Sequence, residues 1–306
     1  MSVRAWIVRR KIKSLFRTDL TGIPEAEVIS FKQALLISEK NIPQPPKTTE
    51  IEAIDEMHGD QRVRGEWVSE PGADPNRIIF YCHGGGYVWG APKFYRELAW
   101  RLSKACDARV FLLDYSLAPA AKFPIQVNEG LAAYDMVCKN NSNARVVLSG
   151  DSAGGNLAVS MTIAIRDNGG PAPAALALIS PWLDMTGSGD SLKYNGEKDV
   201  MLQPDVAVKG ARAYSGELAA DDPRCSPLFA DHKGLPPILT QVGSEEILLD
   251  DSTRLAASID KVGGDITLKV WPKMHHAWHM SAAIVPEARK AIKEIADYFE
   301  QRWTEQ

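Results

Sequence analysis

From residue 63 onward, short runs of β-branched and aromatic residues alternate with longer stretches whose apolar side chains recur every three or four positions. Segments 63–68, 77–82, 108–114, 145–149, 174–180, 237–242 and 266–271 carry the first signature and are predicted as strands. Segments 96–104, 127–139, 153–166 and 252–262 carry the second, and a closing helix is predicted over 286–303. Runs such as Ile78-Ile79-Phe80-Tyr81-Cys82 have no polar alternate, so both faces of such a strand need cover. Apolar strands alternating with helices predict an α/β fold, a mostly parallel central sheet flanked by helices.

Two regions depart from this rhythm. Residues 1–20 carry Arg4, Arg9, Arg10, Lys11, Lys13 and Arg17 before the first acid, Asp19, with Trp6, Ile7, Leu15 and Phe16 interleaved. The segment lacks the apolar core and small-residue cleavage site of a signal peptide. It predicts an amphipathic helix packing its apolar side on the body, a membrane-surface helix being the alternative. A second helix is predicted over 24–40, ended by the proline-rich 42–47. Further on, more than fifty residues separate the strands ending near 180 and starting at 237, with a helix predicted at 204–215. A connection that long is usually a lid or binding element. With the N-terminal helices it can roof the C-terminal edge of the sheet, where open α/β folds bind ligands.

Composition narrows the possibilities. With 306 residues and 45% hydrophobic content, the chain can bury one large core. A net charge of −4 spread over 24% charged residues argues against a nucleic-acid surface, which needs a basic face. No stretch reaches the roughly 18 consecutive apolar residues of a membrane span. Cys82, Cys106, Cys138 and Cys225 are far apart and form no metal-ligand spacing, so no zinc is expected. Cys82 reads as a buried free thiol, which fits a reducing, cytoplasmic setting.

Candidate chemistry lies at four strand ends. After Val146-Val147-Leu148 comes Gly150-Asp151-Ser152-Ala153-Gly154-Gly155, small residues leading into a helical pattern. The arrangement Gly-x-Ser-x-Gly is a nucleophile elbow, which lifts the Ser152 hydroxyl above the sheet at a helix N-terminus that favours negative charge. After the strand at 77–82 comes His83-Gly84-Gly85-Gly86. Its glycines can turn N–H groups toward an oxyanion, with Gly85 and Gly86 as donors, Gly84 at the turn and the Ala153 N–H joining them. Gly84, Gly86 and Gly90 with Asp114 also resemble a dinucleotide-binding turn, but His83 before the glycines and Pro92 after them oppose that reading, and it leaves Ser152 unexplained. The triad order Ser, acid, His places the acid in 241–251, where position alone does not choose among Glu245, Glu246, Asp250 and Asp251. The base should follow the last strand, where His275, His276 and His279 cluster. His58 and His232 read as structural.

The His83–Gly86 and Gly150–Gly155 motifs, with Ser180-Pro181-Trp182-Leu183-Asp184, resemble the hormone-sensitive-lipase-like esterases of the α/β-hydrolase fold from about residue 50 to the C-terminus. The resemblance implies an acid loop of the form Asp/Glu-x-Leu/Met-x-Asp, which falls on Glu246-Ile247-Leu248-Leu249-Asp250 and selects Glu246. It implies a histidine followed by a small residue and an aromatic, which is His276-Ala277-Trp278. Two stretches depart from the pattern. Glu stands where most members carry Asp, and Tyr115-Ser116-Leu117-Ala118-Pro119-Ala120 lacks the family's Arg and Glu. A helical cap is implied over 1–48 and 186–224, above a catalytic domain of 49–185 and 225–306. The expected function is a serine carboxylesterase hydrolysing short-chain acyl esters through Ser152, His276 and Glu246, with no cofactor or metal. Gly84, Gly85, Gly86 and Ala153 form the expected oxyanion region, and Tyr87, Trp89, Asp151, Trp182 and Trp278 the expected pocket. The partner is a small-molecule ester. An amidase or lactonase on the same triad is the nearest alternative, while His276 argues against a non-catalytic receptor. The edge strand at 266–271 and the resemblance both imply a homodimer.

Overall fold

The computed structural model describes residues 1–16 and 42–304, so the helix expected at 24–40 lies outside the described residues. The strands are β1 (Glu50–His58), β2 (Gln61–Ser69), β3 (Asp74–Cys82), β4 (Ala108–Leu113), β5 (Arg145–Asp151), β6 (Leu176–Ile179), β7 (Ile238–Gly243) and β8 (Ile266–Trp271). They form one sheet in the order β1-β2-β4-β3-β5-β6-β7-β8. The β1–β2 and β2–β4 pairings are antiparallel, and every pairing from β4 to β8 is parallel.

The uninterrupted apolar run of β3 is explained by its two faces. Ile78, Phe80 and Cys82 enter one core cluster, and Ile79 and Tyr81 enter the other. β4 divides the same way, with Phe111 and Leu113 on one side and Val110 and Leu112 on the other. The first face is covered by α3 (Ile125–Asn140), α4 (Ala153–Asp167) and α7 (Leu249–Lys261), through side chains such as Tyr134, Leu157 and Leu255. The second is covered by α2 (Arg96–Cys106) and α8 (Pro286–Thr304), through Leu102, Ile295 and Phe299. Burying each such side chain contributes roughly 1.5–3 kcal/mol, so it is the two-faced cover that holds the strands in a parallel sheet.

β1 has no counterpart among the strands the hydrophobic pattern predicts. All but two of its residues are exposed, so no buried stripe announces it. Antiparallel pairing to β2 holds it, helped by an Asp55–Arg62 ion pair at 2.6 Å.

α1 (Val3–Phe16) forms within the basic N-terminal segment, but its packing differs from expectation. Ala5 is its buried residue and Val8 packs beside it, whereas Val3, Trp6 and Ile7 face outward. The helix therefore has apolar side chains on both sides, and among the described residues one side meets the body. Between β6 and β7 the long connection carries a short helix, α5 (Ser191–Tyr194), and α6 (Pro204–Ser215).

Candidate active site

The elbow sits at the C-terminal end of β5, between β3 and β6. Ser152 is held at φ 54° and ψ −121°, a left-handed conformation costly for any side-chain-bearing residue. Two backbone hydrogen bonds hold it there: Ser152 N–H donates to the Ile179 carbonyl at 2.9 Å, and the Trp182 N–H donates to the Ser152 carbonyl at 2.9 Å. Crowding explains the small neighbours. A Cβ on Gly154 would lie 2.0 Å from the Cys82 carbonyl oxygen.

The glycine loop is tied to the elbow through Asp151. Its Oδ1 accepts from the Tyr81 hydroxyl and the Gly84 N–H, both at 2.9 Å, and its Oδ2 accepts from the Tyr95 hydroxyl at 3.2 Å. Burial raises the Asp151 pKa, and these donors oppose the rise. The Gly84 amide, at the turn of the loop, is thus already committed to Asp151. A Cβ there would sit 2.2 Å from Asp151 Oδ2. Gly85 and Gly86, both at positive φ, border the cavity beside Ser152. His83 stacks on Tyr115 with ring centroids 4.2 Å apart, and its Nδ1–H donates to the Gly84 carbonyl at 2.7 Å. Burial lowers its pKa to about 4, so it is neutral at physiological pH. Gly90 backs onto this ring, and Asp114 does not border the cavity beside Ser152. In the 115–120 segment, which lacks the family's Arg and Glu, Glu129 accepts from the Ser116 N–H at 2.7 Å and the Ser116 hydroxyl at 2.6 Å.

Only one of the four candidate acids meets an imidazole. His276 Nδ1–H donates to Glu246 Oε2 at 2.8 Å, while Glu246 Oε1 accepts from the Gly243 N–H at 2.6 Å and the Ser180 hydroxyl at 2.7 Å. Glu245 is paired with Arg9. Asp250 accepts from the Ser191 N–H at 2.8 Å. Asp251 accepts from the Leu183 and Asp184 N–H groups, and burial raises its pKa to about 7. Burial alone would lower the His276 pKa, but the hydrogen bond and charge of Glu246, reinforced by the charges of Asp199 and Asp151, leave it raised. Burial raises that of Glu246, against the pull of His276 and the Gly243 amide.

The neighbouring histidines behave differently. Burial lowers both His275 and His279 to about 3, and His279 donates to Gln241 Oε1 at 2.6 Å. His58 pairs with Asp135 at 2.6 Å, and His232 bonds to Ser258 and the Pro227 carbonyl.

Ser152 and His276 border one cavity of about 360 Å³. Trp89, Trp182 and Asp151 also border it. Tyr87 and Trp278 do not, which corrects the pocket predicted from sequence. Tyr87 is fully buried, stacked on Tyr214 at 3.6 Å with its hydroxyl donating to Asn156 Oδ1 at 2.7 Å, and Trp278 is fully buried in the second core. Both aromatics are consumed by packing. The wall is completed by Ile12 and Phe16 of α1, by Ile42 and Pro43, and by Met201, Leu202, Val206 and Gly210 from the long connection.

Three supporting residues escaped the sequence reading of roles. Ser180, at φ 45°, orients Glu246. Asn156 Nδ2 donates to the Trp182 and Cys225 carbonyls at 2.9 and 3.0 Å. Asp199 accepts from the Ile247, Met201 and Leu202 N–H groups, each at 2.9 Å, joining the acid loop to the cavity wall. Ser180 lies in a recognisable motif; nothing local marks Asp199, which acts across 48 positions of chain. Among the described residues, no group of three or more His, Cys, Asp or Glu side chains is placed to hold a metal ion.

A parallel-rich sheet with a strained serine at a strand-to-helix elbow defines an α/β hydrolase, and comparison with known proteins agrees. Residues 79–280 match the family described as the alpha/beta hydrolase fold, and the chain belongs to it. It is 41% identical over 238 residues to an acetyl-hydrolase of Streptomyces hygroscopicus, covering 76% of this chain and 78% of that one. It is 34% identical over 238 residues to an esterase of Acinetobacter venetianus, covering 77% and 78%. Among solved structures, the esterase EstE5, in a crystal soaked with p-nitrophenyl butyrate, superposes with a TM-score of 0.91 at 34% identity over 100% of both chains. An esterase from the bacterial hormone-sensitive lipase family gives 0.89 at 33% identity over 99% of both. Within the fold, the chain is a bacterial hormone-sensitive-lipase-family esterase, a carboxylic ester hydrolase.

Proposed function

We propose that Ser152, His276 and Glu246 form the catalytic triad of a carboxylesterase acting on short-chain acyl esters. The observation that carries this is the buried His276–Glu246 pair at 2.8 Å, with His276 and Ser152 bordering the same cavity. His276 takes the hydroxyl proton as Ser152 attacks the ester carbonyl, and Glu246 fixes the imidazole's tautomer and stabilises its cation. The N–H groups of Gly85, Gly86 and Ala153 receive the developing oxyanion. His276 then protonates the departing alcohol, and water releases the acyl group by the reverse relay. The apolar cavity wall favours uncharged acyl groups, and its about 360 Å³ suits short chains.

Segments 1–48 and 186–224 are proposed as a cap over the catalytic domain of 49–185 and 225–306, since Phe16, Ile42, Met201 and Val206 all wall the cavity. β8, the last strand of the sheet, is proposed to pair with its copy in a homodimer. Ser152→Ala should lose at least about three orders of magnitude in ester hydrolysis. Retained turnover by that variant would defeat the triad, and faster hydrolysis of long-chain triglycerides than of butyrate esters would defeat the acyl preference.

A further inference from the structure

α1 presents two different apolar faces. At helical spacing, Ala5, Val8, Ile12 and Phe16 turn toward the body: Ala5 is buried, Val8 packs on the core, and Ile12 and Phe16 border the cavity. The orientation is fixed by polar contacts. Ser2 Oγ donates to Glu287 at 2.8 Å, and the Arg9 guanidinium donates to the Lys198 and Lys273 carbonyls at 2.8 Å and pairs with Glu245. The opposite face is then committed to the outside. Val3, Trp6 and Ile7 are exposed at 74%, 46% and 55%, on the same stripe as Arg10, whose guanidinium lies over the Trp6 ring at 4.9 Å. Exposed Arg4, Lys11 and Lys13 flank the stripe, and α1 contains no acidic residue.

We propose that this outward face is a docking surface for a bilayer containing anionic lipid. An exposed apolar stripe with cations along both borders matches the acyl boundary of a membrane on its axis and the headgroups on its flanks, and long basic side chains reach outward while their stems stay apolar. Charge complementarity selects the occupant. A second copy of this chain would bring the same cations together, whereas an anionic surface attracts each of them. A polyanion without an apolar phase would engage the flanks and leave Val3, Trp6 and Ile7 in water. Because the other side of the helix walls the cavity, docking would set the cavity beside the bilayer, where membrane-dissolved esters are concentrated. Binding through one short helix is expected to be reversible.

The test is co-sedimentation of the full chain with vesicles of phosphatidylcholine alone or mixed with phosphatidylglycerol. Partition into the mixed vesicles should exceed that into the neutral ones by about tenfold or more and fall as salt is raised. Trp6→Ser combined with Ile7→Ser should reduce it by about tenfold, while hydrolysis of a water-soluble ester is unchanged. Arg4→Gln combined with Lys11→Gln should remove most of the preference for the anionic vesicles. Equal partition into both vesicles, absence of binding by the unaltered chain, or full binding by the Trp6/Ile7 variant would each overturn the proposal. So would a dimer that dissolves on the Trp6/Ile7 substitution without any vesicle binding.

Discussion

The Asp199 carboxylate accepts three backbone N–H groups, one of them from Ile247 beside Glu246, and its charge adds to that of Glu246 in raising the His276 pKa. A general base works as the neutral imidazole, so kcat/KM should climb with pH through the His276 pKa, at a midpoint above the ordinary 6.5. The charged groups acting on His276 are Glu246, Asp199 and Asp151, with His275 beside it neutral. Asp199→Asn keeps the shape and removes one of those charges, so the acid limb should move to lower pH by roughly half a unit to one unit. An unmoved limb in the pH–rate profile would show that Asp199 serves the loop alone. The acid itself is tested by a pair of variants. Glu246→Ala should cost about four orders of magnitude in kcat, while Asp250→Ala should stay within about threefold, since Asp250 bonds to Ser191 instead. At this scale Ser152 was legible because an elbow demands small neighbours within a few residues. Tyr87 and Trp278 were misjudged because an aromatic beside a motif in sequence can point either into a cavity or into the core.

At the scale of elements, the strand-to-helix turn of β5 and α4 depends on backbone approach closer than any Cβ permits. Gly154→Ala would place a methyl carbon 2.0 Å from the Cys82 carbonyl oxygen, a main-chain atom with no rotamer to escape through. The variant should lose ester hydrolysis by about two orders of magnitude or fail to accumulate as folded protein, as read by specific activity and the thermal unfolding midpoint. A wild-type midpoint with wild-type activity would show that β3 can yield. The buried strands and long helices were readable because their apolar period is local. β1 was not, since a mostly exposed strand carries no such period and is held by pairing to β2 and by the His58–Asp135 pair to α3. α1 was readable as a helix, but which of its two apolar faces meets the body was set by the anchors of Arg9 on distant loops and of Ser2 on the first turn of α8.

At the scale of the whole molecule, β8 ends the sheet with one side unpaired among the described residues, and Val270 on it is 43% exposed. Light scattering should give twice the chain mass, and Val270→Lys should shift the population to monomer by placing a charge on the edge. A monomeric wild-type chain would dispose of the dimer. The sequence by itself determined the α/β architecture, the serine elbow, the glycine loop and the short list of acids and histidines. Each of these is written in a local period or in a turn that only small residues can make. Position alone left four carboxylates open and the resemblance of the acid loop chose Glu246, whereas tertiary structure alone decided that the Gly84 amide is spent on Asp151, which aromatics wall the cavity and which face of α1 is left outside. Those outcomes depend on contacts between segments tens to hundreds of residues apart, where side-chain direction and burial are fixed by packing and leave no trace in the spacing of the chain.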